Sequence, residues 1–355
     1  MSGPEVLASA QYQVRVDSVL ERFFSLAKTR AAAFGQPYVE LWESLEANTI
    51  GGKRFRPRMV MAAYQALGGS DLEAAACVGA AFELLHTALI VHDDVIDKDF
   101  TRRGAPNIAG TYRALAAASG SNERVAEHRG LSAAVIAGDL ALFNAYRLID
   151  KSGVSDNVRA ELVEVMDEAL FASAAGELID VEYASAVEMP LVDDILVMER
   201  LKTAVYSFEC PLQAGAILAG APDAVVATLG DFGREIGIAY QLVDDVLGVF
   251  GEESKTGKTT IGDLREGKRT VMIAYAKSTT QWCEIEHLIG KDDLTEDEAS
   301  AVRTVLIECG AKAFADGLAR YYGNLAVSRL SEPHMPLALR DELAPVAEAV
   351  LGRTT

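Results

Sequence analysis

Residues 92–97 read His-Asp-Asp-Val-Ile-Asp and residues 244–248 read Asp-Asp-Val-Leu-Gly, each at the end of a long apolar stretch. On a helix, positions i, i+4, i+7 and i+11 share a face. His86, Ile90, Asp93 and Asp97 therefore form one stripe, and Gly237, Gln241, Asp244 and Gly248 another. Hard oxygen ligands one turn apart, with water completing the shell, are what Mg²⁺ accepts. Near a helix C-terminus the backbone already contributes about half a negative charge, so such acids repel one another and the dipole unless a cation comes. A solvated acidic helix end would explain one cluster but is a poor account of two.

Basic residues are grouped to match. Lys53, Arg54, Arg56 and Arg58 open a helix, where free N–H groups favour an anion. Arg102 and Arg103 follow the first acids, and Lys255, Lys258, Arg265, Lys268 and Arg269 follow the second. Carboxylates beside guanidinium and ammonium groups point to a metal–polyphosphate site, with a divalent ion bridging Asp oxygens to phosphate. Gly257-Lys258-Thr259 resembles the phosphate loop of nucleotide hydrolases. That motif needs a glycine five residues before Gly257, where Glu252 stands, and a strand before it, where a long helix is expected.

The elements that must carry these residues are helical. The 355-residue chain is half hydrophobic, and long periodic stretches broken by Gly or Pro predict an all-α fold in a single domain, 1–355. Helices are expected at roughly 11–33, 37–48, 55–68, 72–99, 107–117, 130–150, 156–173, 175–185, 191–219, 223–250, 268–277, 295–327 and 337–350, with loops at 118–129, 251–267 and 288–294. Thr295 and Glu298 have the spacing of a capping box. The net charge of −19 argues against nucleic acid as a partner. Four scattered cysteines signal neither zinc nor a disulfide framework. With no basic-then-apolar leader, and no run reaching the roughly 18 apolar residues a spanning helix needs, a cytoplasmic chain without a membrane span is expected.

In chain order, "GGKRFRP", "LLHTALIVHDDVIDKDFTRRGAPN", "AGDLAL", Lys202-Thr203 and "YQLVDDVLGVFGEESKTGKTTIGDLREGKRT" resemble the trans-prenyltransferases, or isoprenyl diphosphate synthases. The resemblance implies one all-α domain around a deep apolar cavity, usually in a homodimer. It implies an Mg²⁺-dependent head-to-tail condensation of isopentenyl diphosphate with an allylic diphosphate (dimethylallyl, geranyl or farnesyl). Asp93 and Asp97 would hold two Mg²⁺ ions and Asp244 a third. Arg102, Lys202 and Lys258 would grip the allylic diphosphate, and Lys53, Arg56, His86 and Arg103 the isopentenyl diphosphate. Thr203, Gln241 and the carbonyl of Lys202 would face the developing carbocation, and Lys268 would help close the site.

Small residues at Ala88, five before Asp93, and next to it at Leu89 stand where short-chain relatives often carry aromatic floors. They imply the twenty-carbon geranylgeranyl product, with farnesyl or a longer chain as the alternatives. Phe143 and Tyr146 are candidate deeper floors. Two positions depart from the pattern: Glu177 stands where Gln is common, and Gly248 replaces a third aspartate, so that an aspartate restored there is expected to be accepted. A terpene cyclase would lack Lys53, Arg56 and Arg103, and a non-catalytic regulatory subunit commonly lacks the first acidic cluster; both features are intact here.

Overall fold

The computed structural model describes residues 10–50, 54–102, 104–186, 188–251 and 260–352, with side chains from Tyr12 onward. It is all-α, as the periodicity predicts. Among the described residues the only strands are Thr101–Arg102 (β1) and Ala105–Pro106 (β2), an antiparallel pair with Thr101 opposite Pro106 and Arg102 opposite Ala105. The chain divides into two compact units. One runs to residue 166 and takes in 214–221, and the other comprises 167–213 and the residues from 222 onward.

The N-terminal unit contains α1 (Ala10–Ala31), α2 (Gln36–Thr49), α3 (Phe55–Ala66), α4 (Leu72–Ile96), α5 (Ile108–Ala118), α6 (Glu123–Asp150) and the start of α7 (Asp156–Ser185). Its axis is α4, which the Asp71 carboxylate caps by accepting from the N–H of Ala74 at 3.0 Å. Because α4 is apolar nearly all round it must be enclosed, and α6, α3 and α1 enclose it. Phe82, Leu84 and Leu85 are fully buried, each burial contributing roughly 2–3 kcal/mol. By length and composition α4 and α6 could each cross a membrane, which corrects the expectation that no stretch is apolar enough. Of their most apolar windows, 78% and 50% respectively are buried inside the fold, so the apolarity of α4 serves the protein core.

Before α3, Arg54 adopts a left-handed backbone conformation (φ 51°) and buries its side chain. The guanidinium donates to Asp17 at 2.8 Å, to Glu83 at 2.8 Å and to the carbonyl of Thr49 at 2.6 Å. One of the cations grouped with the phosphate-binding set is thus a strut joining α1, α3 and α4.

The C-terminal unit contains the rest of α7, α8 (Val192–Glu199), a π-helical segment Arg200–Glu209, the first residues of α9 (Cys210–Leu218), α10 (Asp223–Phe250), α11 (Gly262–Glu266), α12 (Val271–Lys277), α13 (Trp282–Ile285), α14 (Glu296–Glu308), α15 (Ala311–Arg329) and α16 (Leu337–Leu351). The π-helical segment and α15 pack along α10. Gly237 permits the close approach of the former, since a Cβ there would stand 2.5 Å from that of Ala204. Val246, Val249, Leu264, Met272 and Leu306 form one core cluster, and Ile195, Ile238, Leu242 and Val271 another.

Several boundaries differ from the sequence reading, among them residues 262–266, expected in a loop, which form α11. Residues 123–129, expected in a loop, begin α6, because the Asn122 side chain accepts from the N–H of Val125 at 3.1 Å. The two helices expected over 156–185 are one. The helix expected over 295–327 is two, broken where Gly310 takes a φ of 83°; its expected capping box is present at Thr295 and Glu298.

Candidate active site

In the N-terminal unit the C-terminal end of α4 presents Asp93 half-buried and Asp97 exposed, while Asp94 between them turns inward with 3% exposure. Asp97 closes the helix, its N–H donating to the Asp93 carbonyl at 2.9 Å. Burial pushes the Asp94 carboxyl up from its ordinary value, against hydrogen bonds from Arg102 and Asn107. Arg102, on β1, donates Nε and Nη2 to Asp94 at 2.8 and 2.6 Å, and Nη2 to Asp93 at 3.1 Å. The short strand pair thereby fixes the guanidinium at the helix end, with Nη1 making no bond among the described residues.

His86 is half-buried on the same stripe, Ala88 is buried, Leu89 is half-buried, and Arg56 lies half-buried in the first turn of α3. Phe143 is 65% exposed, lining a cavity with residues of α1 and α2. Lys53, Arg103 and Lys258 lie outside the described residues.

In the C-terminal unit the π-helical segment sets Thr203 against α10. The Thr203 hydroxyl donates to Gln241 Oε1 at 3.0 Å, and Gln241 Nε2 donates to Asp245 Oδ1 at 2.8 Å. Burial pushes the Asp245 carboxyl up to about 7, the Gln241 bond opposing and the Asp263 and Asp244 charges adding. Behind it Glu199 is buried, and among the described residues neither of its oxygens meets an N–H or hydroxyl donor. Its pKa is well above the ordinary value through burial first and then the nearness of Asp245 and Asp180. Two such acceptors share a dry space only if one carries a proton. Lys202 Nζ lies 2.6 Å from Asp180 and 3.1 Å from Glu177, so both acids near the atypical position on α7 orient this lysine.

Asp263, on α11, was not singled out by the sequence reading. A Cβ on Gly248 would stand 2.0 Å from its Oδ2, so a carboxylate from the following segment fills the space beside α10 where the third aspartate is missing. Asp263 Oδ1 also binds Lys268 Nζ at 2.9 Å. Burial opposes the charge on Lys268, but Asp263 and Glu266 outweigh it and raise its pKa. Arg303 of α14 donates to the Val249 carbonyl at 2.8 Å and to Thr260 Oγ1 at 3.0 Å, tying together the ends of the segment that carries Lys258. Of these, only Asp263 carried a legible signal, its place between Lys258 and Lys268; its return to Gly248 is a tertiary fact.

Among the described residues no three His, Cys, Asp or Glu side chains close on one point as a metal cage. Two carboxylates one turn apart at the end of α4, one of them exposed, suit Mg²⁺ better than a cage would, since that ion keeps water and takes substrate oxygens.

The sequence matches the family described as Polyprenyl synthetase over residues 39–306. The chain is 33% identical to geranylfarnesyl diphosphate synthase of Aeropyrum pernix over 292 residues, covering 81% of this chain and 86% of that one. It is 29% identical to geranylgeranyl diphosphate synthase of Saccharolobus solfataricus over 290 residues, 80% and 81% of the two chains. Its fold superposes with a TM-score of 0.89 and 28% identity on geranylgeranyl pyrophosphate synthase from Corynebacterium glutamicum, solved with isoprenyl diphosphate and magnesium, over 96% and 98% of the chains.

Proposed function

The chain belongs to the polyprenyl synthetase family and is a prenyltransferase, and from that premise we propose that it joins isopentenyl diphosphate head to tail with an allylic diphosphate to give geranylgeranyl diphosphate. Enzymes of this family use those two substrate classes and depend on Mg²⁺. The observation that carries the reading is the Asp93–Asp97 stripe with Arg102 held beside it: two carboxylates one turn apart at a helix end, next to a guanidinium whose Nη1 makes no bond among the described residues.

Mg²⁺, three ions in this proposal, would supply charge neutralisation for the departing diphosphate. We assign Asp93 and Asp97 to hold two of them and Asp244 the third. Arg102, Lys202 and Lys258 take the remaining oxygens of the allylic diphosphate. Lys53, Arg56, His86 and Arg103 hold isopentenyl diphosphate close to the reacting carbon, converting an encounter into an intramolecular attack. As the C–O bond breaks, positive charge spreads over the allylic carbons. The Thr203 hydroxyl donates its hydrogen bond to Gln241 Oε1, which leaves its oxygen lone pairs to face that charge, a preorganised dipole together with the Lys202 carbonyl. The double bond of isopentenyl diphosphate forms the new C–C bond, and a proton leaves to the released diphosphate. Lys268, fixed by Asp263, closes the site.

Geranylgeranyl is preferred because Ala88 puts no ring on that face of α4, and relatives with twenty- and twenty-five-carbon names support a long tail. Apolar side chains exposed on α7, among them Phe171 and Leu178, support a homodimer, and we assign the enzyme to the cytoplasm. Incubating the purified protein with isopentenyl diphosphate, Mg²⁺ and each allylic primer, then measuring product mass, tests the reading. A twenty-carbon product is expected; no elongation with any primer would sink it.

A further inference from the structure

The N-terminal unit holds a cavity of about 920 Å³ between α1, α2 and α6, with Cys77 of α4 in its lining. Cys77 precedes Asp93 by four helical turns, roughly 24 Å at 1.5 Å per residue, so the cavity belongs to the opposite end of α4 from the carboxylates. One wall is a relay of edge-to-face rings. Phe34 meets Tyr38 at 5.9 Å between centroids, Tyr38 meets Trp42 at 6.3 Å, and Trp42 meets Phe23 at 6.0 Å. Phe34, Leu26 and Phe143 leave 72%, 71% and 65% of their surface uncovered there, and large apolar groups gathered in a hollow mark a binding site more than a solvated face.

Cations line the same hollow. Arg22, Arg30, Arg147 and Lys151 all contribute to it. Arg22 is paired with Glu73. The other three have no carboxylate partner among the described residues: Arg147 donates only to the Asn144 amide at 3.1 Å, and neighbouring Asp150 turns to Arg159 at 3.7 Å. In a chain of net charge −19, three uncompensated cations around one apolar hollow are the complement of a ligand with an anionic head and an apolar body.

We propose that this cavity binds a prenyl phosphate or diphosphate, its tail along the ring wall and its head on Arg30, Arg147 and Lys151, at a site separate from the catalytic one. The head group excludes the end of a growing tail as occupant, since that end carries no charge. The prenyl identity of the tail rests on the proposed function.

The test is equilibrium binding of radiolabelled farnesyl monophosphate to the full chain in EDTA, which removes the metal that catalytic capture of a diphosphate requires. About one equivalent per chain should bind, and Arg30→Glu/Lys151→Glu should weaken it at least tenfold while leaving elongation in Mg²⁺ unchanged. Phe34→Asp, which spoils the wall, should weaken it too. Inorganic pyrophosphate and farnesol should each compete poorly. The proposal is overturned by absence of saturable binding, by equal affinity in the double variant, by pyrophosphate competing as well as farnesyl monophosphate, or by binding only to phosphatidylglycerol vesicles. Elongation in Mg²⁺ reports on the proposed function alone, and binding in EDTA on this site alone.

Discussion

Asp263 Oδ2 occupies the space into which a side chain on Gly248 would grow: a Cβ there would stand 2.0 Å from it. The missing third aspartate of the second cluster is thus answered from the next segment, and where the sequence implies that an aspartate restored at 248 is accepted, we predict from this contact that it lowers activity. Gly248→Asp should displace Asp263, free Lys268, and lower kcat/KM about tenfold, equivalent to about 1.4 kcal/mol. The fold should survive, since only the end of one side chain must move. Adding Asp263→Ala should recover part of the activity, read from steady-state kinetics of the single and double variants. A single variant as active as the parent would break the link.

Glu199 supplies a pH dependence. Its carboxyl is raised well above 4.5 by burial and by Asp245, so the folded chain binds a proton that the unfolded chain has released. The stabilisation is complete below about pH 4 and is lost as pH rises through the folded value, at up to about 1.4 kcal/mol per pH unit for each proton. The pair titrates as a unit. In EDTA the melting temperature should fall from pH 5 to pH 8, and Glu199→Gln, which keeps a donor to Asp245 without titrating, should flatten that fall. Parallel profiles for the two proteins would show that this carboxyl does not govern it.

Arg54 should be costly to lose. Removing a buried guanidinium leaves Glu83 without its cation, which costs about 3–5 kcal/mol. Arg54→Met should shift the urea midpoint down accordingly, and a loss below about 1 kcal/mol would mean that the strut is dispensable.

Ala88 is 1% exposed on α4, so a ring there must intrude on what α4 faces. Ala88→Phe should shorten the product by at least one five-carbon unit, at a stability cost of about 1–3 kcal/mol for overpacking. Unchanged product mass in the folded variant would remove Ala88 from control of length.

The helices and both acidic clusters were legible because they depend on periodicity and on residue type. The stripe of His86, Asp93 and Asp97 needs only the 3.6-residue repeat, and α10 ends where its apolar pattern does. What was not legible depends on partners distant in sequence. Arg54 reads as one more cation beside Arg56, and only the fold reveals Asp17 and Glu83 around it. The π-helical path of Arg200–Glu209 has no period of its own, and its fit depends on Gly237 on another helix. Asp263 and Gly248 look unrelated until the chain turns back after α10. The start of α6 was hidden because Ser, Gly and charged residues favour loops, and a single Asn122 cap outweighs them.

The central claim is that the carboxylates at the end of α4 hold the metal on which turnover depends. The most direct measurement is single-turnover elongation of a labelled allylic primer by the parent, Asp93→Asn and Asp244→Asn, at several Mg²⁺ concentrations, with circular dichroism confirming the fold. The account predicts a rate lower by at least about a thousandfold in Asp93→Asn, a marked loss in Asp244→Asn, and an Mg²⁺ requirement in each case shifted to higher concentration. Folded Asp93→Asn protein elongating at the parental rate with the parental Mg²⁺ dependence would contradict it.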